Sequence, residues 1–242
     1  MNDLGLLIFD MDGTLFDSMS QHATAFSRIL EAEYGIPPDS SRSGYLRTAG
    51  RPLDQQFALL IEQHTGHSHV SLGPLLDRFW ELVEESEPTP FPDVQGSIVQ
   101  LWRAGYALAV SSSCSGDVVA SKMTKSGLAG YFRITLGTDY GVPDMTKGEG
   151  HFDRIRQELH VDGTGFRRNT ALVGDGEHDM AIAKTAGILG IGRLTGNNGD
   201  ALKRSGADLL INTLDQLELA LQGGQPGKTE FVPVSSLRAT VP

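Results

Sequence analysis

The chain has 242 residues, long enough for one large domain or for a core carrying a smaller insert. Its 30 Asp and Glu against 20 Lys and Arg leave a formal charge of −10, which excludes a surface built to coat nucleic acid or anionic membrane, since both need clustered basic side chains. No apolar run approaches the roughly 20 residues of a spanning helix, and the single cysteine, Cys114, excludes an internal disulfide and fits a reducing compartment.

In chain order, LGLLIFD (4–10) is a short apolar run ending in a carboxylate and followed by DGT. It predicts a buried strand that opens into a loop, not a secretory leader, and the expected location is the cytoplasm. From 18 to 92 the stretches ATAFSRILEAEYG, LDQQFALLIEQHTG and GPLLDRFWELVEESE show helical periodicity with no convincing strand, which predicts an inserted helical cap. EPTPFPD (87–93) supplies a return hinge, because successive prolines restrict the chain and stop the preceding helix.

Beyond the hinge, strand and helix alternate. GSIVQLWRAG predicts a helix, YALAVS a strand ending at Ser111, VVASKMTKSG a helix, and FRITLG a strand ending near Gly137. HFDRIRQEL (helix), TALVGD (strand ending at Asp175) and HDMAIAKTAG (helix) follow, with GILGIG and ADLLI as weaker strands and DQLELALQ as a last helix. The alternation predicts an α/β fold: a Rossmann-like parallel sheet as core (1–17 and 93–222), a helical cap (18–92), and a Gly-, Pro- and Ser-rich tail (223–242).

The chemistry concentrates at the strand ends. DMDGT places Asp10 and Asp12 two residues apart where the backbone leaves the first strand. One carboxylate can attack phosphorus while the other exchanges protons with the leaving oxygen and the incoming water. Gly13 permits the close turn, and Thr14 offers a hydroxyl and an N–H to a phosphate oxygen. GDGEHD places Asp175 at a second strand end and Asp179 at a helix start, where it also suits an N-cap; such carboxylate oxygens suit Mg²⁺. Neighbouring ends of parallel strands are where open α/β sheets bind ligands.

Ser111, Ser112 and Ser113 bring hydroxyls and N–H groups to the same edge, and Lys147, between a strand and a helix, can offset the charge of Asp10 and a phosphate. Lys122 and Lys125 lie inside a helical stretch and read as solvated surface charges. Cys114 has no visible low-pKa setting and reads as a packing residue. HTGHSH lacks a carboxylate or cysteine partner in register, so His64, His67 and His69 read as a polar loop, not a metal site.

Together, DMDGT, the strand-terminal serine, Lys147 and GDGEHD occur in the order that resembles the haloacid dehalogenase superfamily, specifically its capped phosphatase branch, which includes phosphoglycolate phosphatases and β-phosphoglucomutases. The resemblance implies Asp10 as nucleophile, Asp12 as general acid/base, Ser111 and Lys147 as phosphate binders, and Asp10, Asp175 and the Asp12 carbonyl as Mg²⁺ ligands. Ser112 takes the place of Ser111 if the strand runs one residue longer. RTAGRPLDQQF resembles the family's cap recognition loop, with Arg51 to pair with an anionic substrate tail, and His22 falls where capped relatives often carry a histidine near the acid/base. The implied activity is Mg²⁺-dependent hydrolysis of a small phosphorylated metabolite through an aspartyl-phosphate. A phosphomutase using the same core is the alternative, and a non-enzymatic binding protein on a decayed fold is a third reading, which the presence of all the acidic motifs opposes.

Overall fold

In the computed structural model the described residues are 5–48, 53–68, 70–139, 142, 145–196 and 198–222. The elements run β1 (Leu6–Phe9), α1 (Ser18–Tyr34), α2 (Pro38–Arg47), α3 (Leu53–Thr65), α4 (Gly73–Glu85), α5 (Val94–Arg103), β2 (Ala107–Ser115) and α6 (Gly116–Lys125). They continue with β3 (Ile134–Thr138), α7 (Glu149–Leu159), α8 (Gly163–Asn169), β4 (Thr170–Gly174), α9 (Glu177–Ala186), β5 (Leu189–Arg193), α10 (Gly199–Ser205), β6 (Leu209–Ile211) and α11 (Leu217–Gln222). The chain divides into two compact units, one from the chain up to Phe16 and from Pro90 onward, the other Asp17–Thr89.

The first unit is an α/β fold around a six-stranded sheet, ordered β3-β2-β1-β4-β5-β6, with every pairing parallel. All four residues of β1 are buried, as a strand covered on both faces requires. Leu7 and Phe9 enter one core with Val94, Ile98, Leu108 and Val110, while Leu6 and Ile8 enter the opposite core with Phe152, Ile155 and Phe166. From β1 the chain builds outward through β2 and β3 on one side, then returns to add β4, β5 and β6 on the other. The strand order therefore reverses between β1 and β4, and the crevice at their carboxyl ends is where such sheets take ligands.

Two expectations change here. The serine run does not end β2 at Ser111: the strand continues to Ser115, with an irregularity in its pairing to β3 between Ser111 and Ser115. Ser111 and Ser112 are both buried, and hydrogen-bonding partners let a polar run remain inside a sheet. Helices α2, α8 and α10 also form where the sequence shows no strong apolar period; α8 starts on Asp162, whose carboxylate accepts from Thr164 N–H and Gly165 N–H.

The second unit is helical and has its own core, in which Phe26, Phe57, Phe79, Leu30 and Leu60 are buried and Phe26 stacks on Phe57 at 4.3 Å between centroids. Each fully buried phenylalanine there contributes about 2–3 kcal/mol of transfer free energy. Within the first unit Phe91 N–H donates to Leu15 O (3.1 Å), and within the second Asp17 N–H donates to Thr89 O (2.9 Å). No helix among the described residues is long and apolar enough to cross a membrane.

Candidate active site

The loop after β1 is built by its small and apolar members. Met11 is buried in the core, and its carbonyl accepts from the N–H groups of Leu15 (2.8 Å) and Phe16 (3.0 Å), closing a tight turn. Gly13 sits at φ +82°, in the left-handed region, and a Cβ there would fall on the Asp175 carboxylate. Arg193, at the end of β5 and buried, holds the loop from behind: it donates to Thr14 O (3.0 Å) and to Asp93 Oδ1 (2.8 Å) and lies over the Phe91 ring at 4.2 Å. Burial pushes the Asp93 carboxyl up, but the bonds from Arg193 and from Leu214 N–H outweigh it and hold it below the ordinary range.

Asp10 follows β1 and its N–H donates to Val173 O on β4 at 2.8 Å, so the two strand ends lie side by side. Lys147 Nζ lies 2.5 Å from Asp10 Oδ1 and 2.5 Å from Asp179 Oδ1, and all three side chains are at most 10% exposed. Asp175 completes the group: one oxygen of each of Asp10, Asp175 and Asp179 lies within 4.8 Å of the others. Burial pushes Asp10 up; Lys147 pulls it back, and the charges of Asp179 and Asp175 push it up again. Asp175 is raised for the same reasons, burial first and then Asp179. Burial works to lower Lys147, but the two carboxylates beside it prevail and raise it.

Three carboxylates facing one ammonium fit a divalent cation. The donors are hard oxygens, burial and then neighbouring negative charge raise Asp10 and Asp175, a cost that a cation would relieve, and glycine at 13 leaves the Asp175 carboxylate its space. Asp175 is braced by Thr14 Oγ1 (3.2 Å to Oδ1) and Thr195 Oγ1 (3.4 Å to Oδ2), while Asn198 Nδ2 donates to its main-chain carbonyl at 3.0 Å. The Thr14 hydroxyl, assigned to phosphate from the sequence, is thus engaged with Asp175. Asp179 is more than a cap: it accepts from Gly176 N–H (3.1 Å) and also faces Lys147 and the acidic group.

Asp12 has different company. Its Oδ1 lies 2.7 Å from Lys122 Nζ and its Oδ2 accepts from Cys114 Sγ at 3.1 Å. Lys122 is therefore not the solvated helix charge expected of it; its ammonium is drawn in because Asp12 offers an opposite charge where α6 passes the loop. Cys114 is pushed up to about 11 by burial and by Asp12, so it stands there as a protonated donor.

Behind Ser111 lies a group that the sequence did not single out. His151, fully buried at the start of α7, has Nδ1 2.8 Å from Ser111 Oγ and Nε2 3.2 Å from Gly137 O. A carbonyl only accepts, so the neutral ring carries its proton on Nε2 and Ser111 donates to Nδ1. Ser112 Oγ accepts from Cys114 N–H at 3.1 Å. Arg51 lies outside the described residues, as do His69 and the tail. His22 packs in the second unit against Phe79 (5.5 Å) and Trp80 (6.0 Å), and His64 and His67 are exposed, with no place in the one metal-ready group among the described residues.

An open parallel sheet with a buried acidic group at its switch point defines an α/β enzyme fold built for an anionic ligand and a cation. The chain belongs to the haloacid dehalogenase-like hydrolase family, whose model matches residues 7–192. It is 28% identical over 222 residues to "Probable phosphatase IndB" of Dickeya dadantii, covering 88% of this chain and 91% of that protein. It is 26% identical over 223 residues to the phosphoglycolate phosphatase of Vibrio vulnificus, covering 89% and 95%. Among solved structures, a conserved haloacid dehalogenase-like protein of unknown function from Agrobacterium tumefaciens matches with TM-score 0.68 at 25% identity, over 91% of this chain and 98% of that one. A family hydrolase from Deinococcus radiodurans with bound phosphate and sodium shares the fold at TM-score 0.71 and 18% identity, over 92% and 97%.

Proposed function

We propose that this protein is a Mg²⁺-dependent phosphatase that hydrolyses a small phosphate monoester through an aspartyl-phosphate on Asp10. The observation that carries the reading is the convergence of Asp10, Asp175, Asp179 and Lys147 at the sheet's switch point. Names of relatives, phosphoglycolate phosphatase among them, support the activity and make 2-phosphoglycolate the first substrate to try.

In this reading an oxygen of Asp10 attacks phosphorus in line with the leaving group, and the bond from phosphorus to the ester oxygen breaks as the Asp10–phosphorus bond forms. Asp12 donates a proton to the departing oxygen, then accepts one from the water that attacks the phospho-enzyme; inorganic phosphate leaves and Asp10 and Asp12 return to their starting forms. Lys147 and the backbone N–H groups past β2 face the phosphoryl oxygens. Asp10 and Asp175, with the Asp12 carbonyl and with Asp179 in support, would hold Mg²⁺, which would supply charge neutralisation for the phosphoryl group. Arg51 is the candidate contact for the rest of the substrate.

The test is release of inorganic phosphate from a panel holding 2-phosphoglycolate, sugar phosphates, nucleotides and 4-nitrophenyl phosphate, with Mg²⁺ or with excess chelator. Turnover that needs Mg²⁺ is expected. No release from any compound, or full activity in chelator, overturns the reading, and isomerisation of a sugar phosphate without net release would convert it to a phosphomutase.

A further inference from the structure

The proposed acid/base, Asp12, sits two residues along the chain from the proposed nucleophile. Lys147 is already divided between Asp10 and Asp179. Asp12 instead turns to a lysine 110 positions away in sequence: Lys122 Nζ is 2.7 Å from Oδ1, with side-chain exposures of 17% for Lys122 and 28% for Asp12. On Lys122's own helix, Val119 and Met123 are buried, which pins the segment that carries the lysine. The other oxygen, Oδ2, accepts a thiol bond from Cys114, at 3.1 Å.

We propose that Lys122 is a positioning residue for the proton transfers at Asp12. Its ammonium fixes Oδ1 and keeps the second carboxylate away from Lys147 and from the acidic group around Asp10. With Lys122 on Oδ1, Oδ2, which carries the Cys114 thiol bond, is the oxygen that exchanges the proton. In the first half-reaction the proton passes from Oδ2 to the departing ester oxygen; in the second it returns to Oδ2 from the attacking water. Lys122 keeps its three protons throughout and touches neither substrate nor phosphorus, which separates it from Lys147. The inference rests on Asp12 being the acid/base.

The experiment is a double-mutant cycle on the full chain with Mg²⁺, using Lys122→Met, Asp12→Asn and the pair, with 2-phosphoglycolate as an alkyl ester and 4-nitrophenyl phosphate as an aryl ester. Single-turnover formation of the phospho-enzyme is the readout. Lys122→Met is expected to slow the alkyl ester by roughly 10- to 100-fold, as partial loss of a proton transfer worth 10²–10⁴ in rate. The aryl ester, whose oxygen leaves without a proton, should lose less than about 3-fold, and the substitution should add nothing in the Asp12→Asn background. Lys122→Arg should restore part of the alkyl rate; Lys122→Gln, which keeps a donor, serves if the Met variant does not fold. Equal losses on both esters, or losses that add to those of Asp12→Asn, overturn the inference. If Asp12→Asn itself shows no preference for the better leaving group, the acid/base assignment fails instead, so the two failures are told apart.

Discussion

Asp10 and Asp12 are the same residue type two positions apart, and each has a lysine, yet their surroundings are opposed. Asp10 lies in a nearly closed group in which Asp10, Asp175 and Asp179 face Lys147, so three carboxylates against one ammonium leave two negative charges over. Asp12 pairs with Lys122 in a half-open setting and has a protonated thiol on its other oxygen. The difference shows how a short acidic motif divides labour. In the proposed reading, the surplus negative charge calls for a cation beside the nucleophile, whereas the partly solvated Asp12 is left to take and give a proton.

The largest effect should come from the closed side. Asp10→Asn keeps the shape but removes the attacking oxygen and one anionic ligand, so phosphate release is expected to fall on the order of 10⁴-fold or more. Acid-quenched samples should contain no phospho-enzyme. Appreciable turnover with an intact far-UV spectrum would erase the distinction between the two aspartates. Asp12→Asn should cost on the order of 10²- to 10⁴-fold with alkyl phosphates, and less in the first step with aryl phosphates. Attack by water stays slow in that variant, so the phospho-enzyme should accumulate; an equal loss on both esters with no trapped intermediate would remove Asp12 as the acid/base.

Much of the closed side was legible in the chain. LLIF followed by a carboxylate, and TALVG followed by another, mark two strand ends because buried parallel strands are written as continuous apolar runs. Lys147 stood out as a lone cation between a strand and a helix. The Lys122–Asp12 pair was not legible: the two residues meet through the sheet order and not through local spacing, and within α6 a lysine reads like any surface charge. His151 was hidden similarly, since a histidine opening an amphipathic helix carries no mark of the serine it will meet from β2. The serine run through Ser115 belied its composition, because partners such as His151 satisfy hydroxyls that propensity would send to a loop. Arg193 gave one faint signal, a charged residue closing the otherwise apolar and glycine-rich strand LGIGR.

A smaller effect, on stability, sharpens the same comparison. Lys147→Met strands Asp10 and Asp179 in the interior without their cation, and in chelator this is expected to cost about 3 kcal/mol of unfolding free energy. Added Mg²⁺ should recover part of it, because a ligand that binds only the folded form stabilises that form. Lys122→Met should cost at most about 1 kcal/mol, the range of a pair still reached by water, and Mg²⁺ should not alter that cost. Urea unfolding of both variants with and without Mg²⁺ is the measurement; equal losses would mean that the two lysines occupy equivalent settings.

The smallest effect is a pH dependence with a definite sign. Burial lowers His151 from an ordinary 6.5 to about 4; the hydrogen bond to Gly137 O works the other way, and the charge of Lys147 lowers it further. Between those values the unfolded chain binds a proton that the folded protein refuses, so stability rises with pH across the window. His151 therefore contributes fully above 6.5, and its contribution is lost as pH falls from 6.5 towards 4. Asp10, pushed upward by burial, has the opposite sign: without a cation the folded form binds the extra proton, and acid stabilises it. The two overlap, so a wild-type curve alone can look flat. His151→Gln resolves them, since its amide can donate to Gly137 O and accept from Ser111 but cannot titrate, while Asp10 is common to both proteins and cancels in the difference. On acidification from pH 7 to 4.5, wild type should lose about 2 kcal/mol more than the variant, seen as roughly 4–8 °C in the difference between their melting temperatures. A difference that stays constant with pH would show that His151 keeps an ordinary pKa, and with it that the serine behind the closed site is not held by a neutral imidazole.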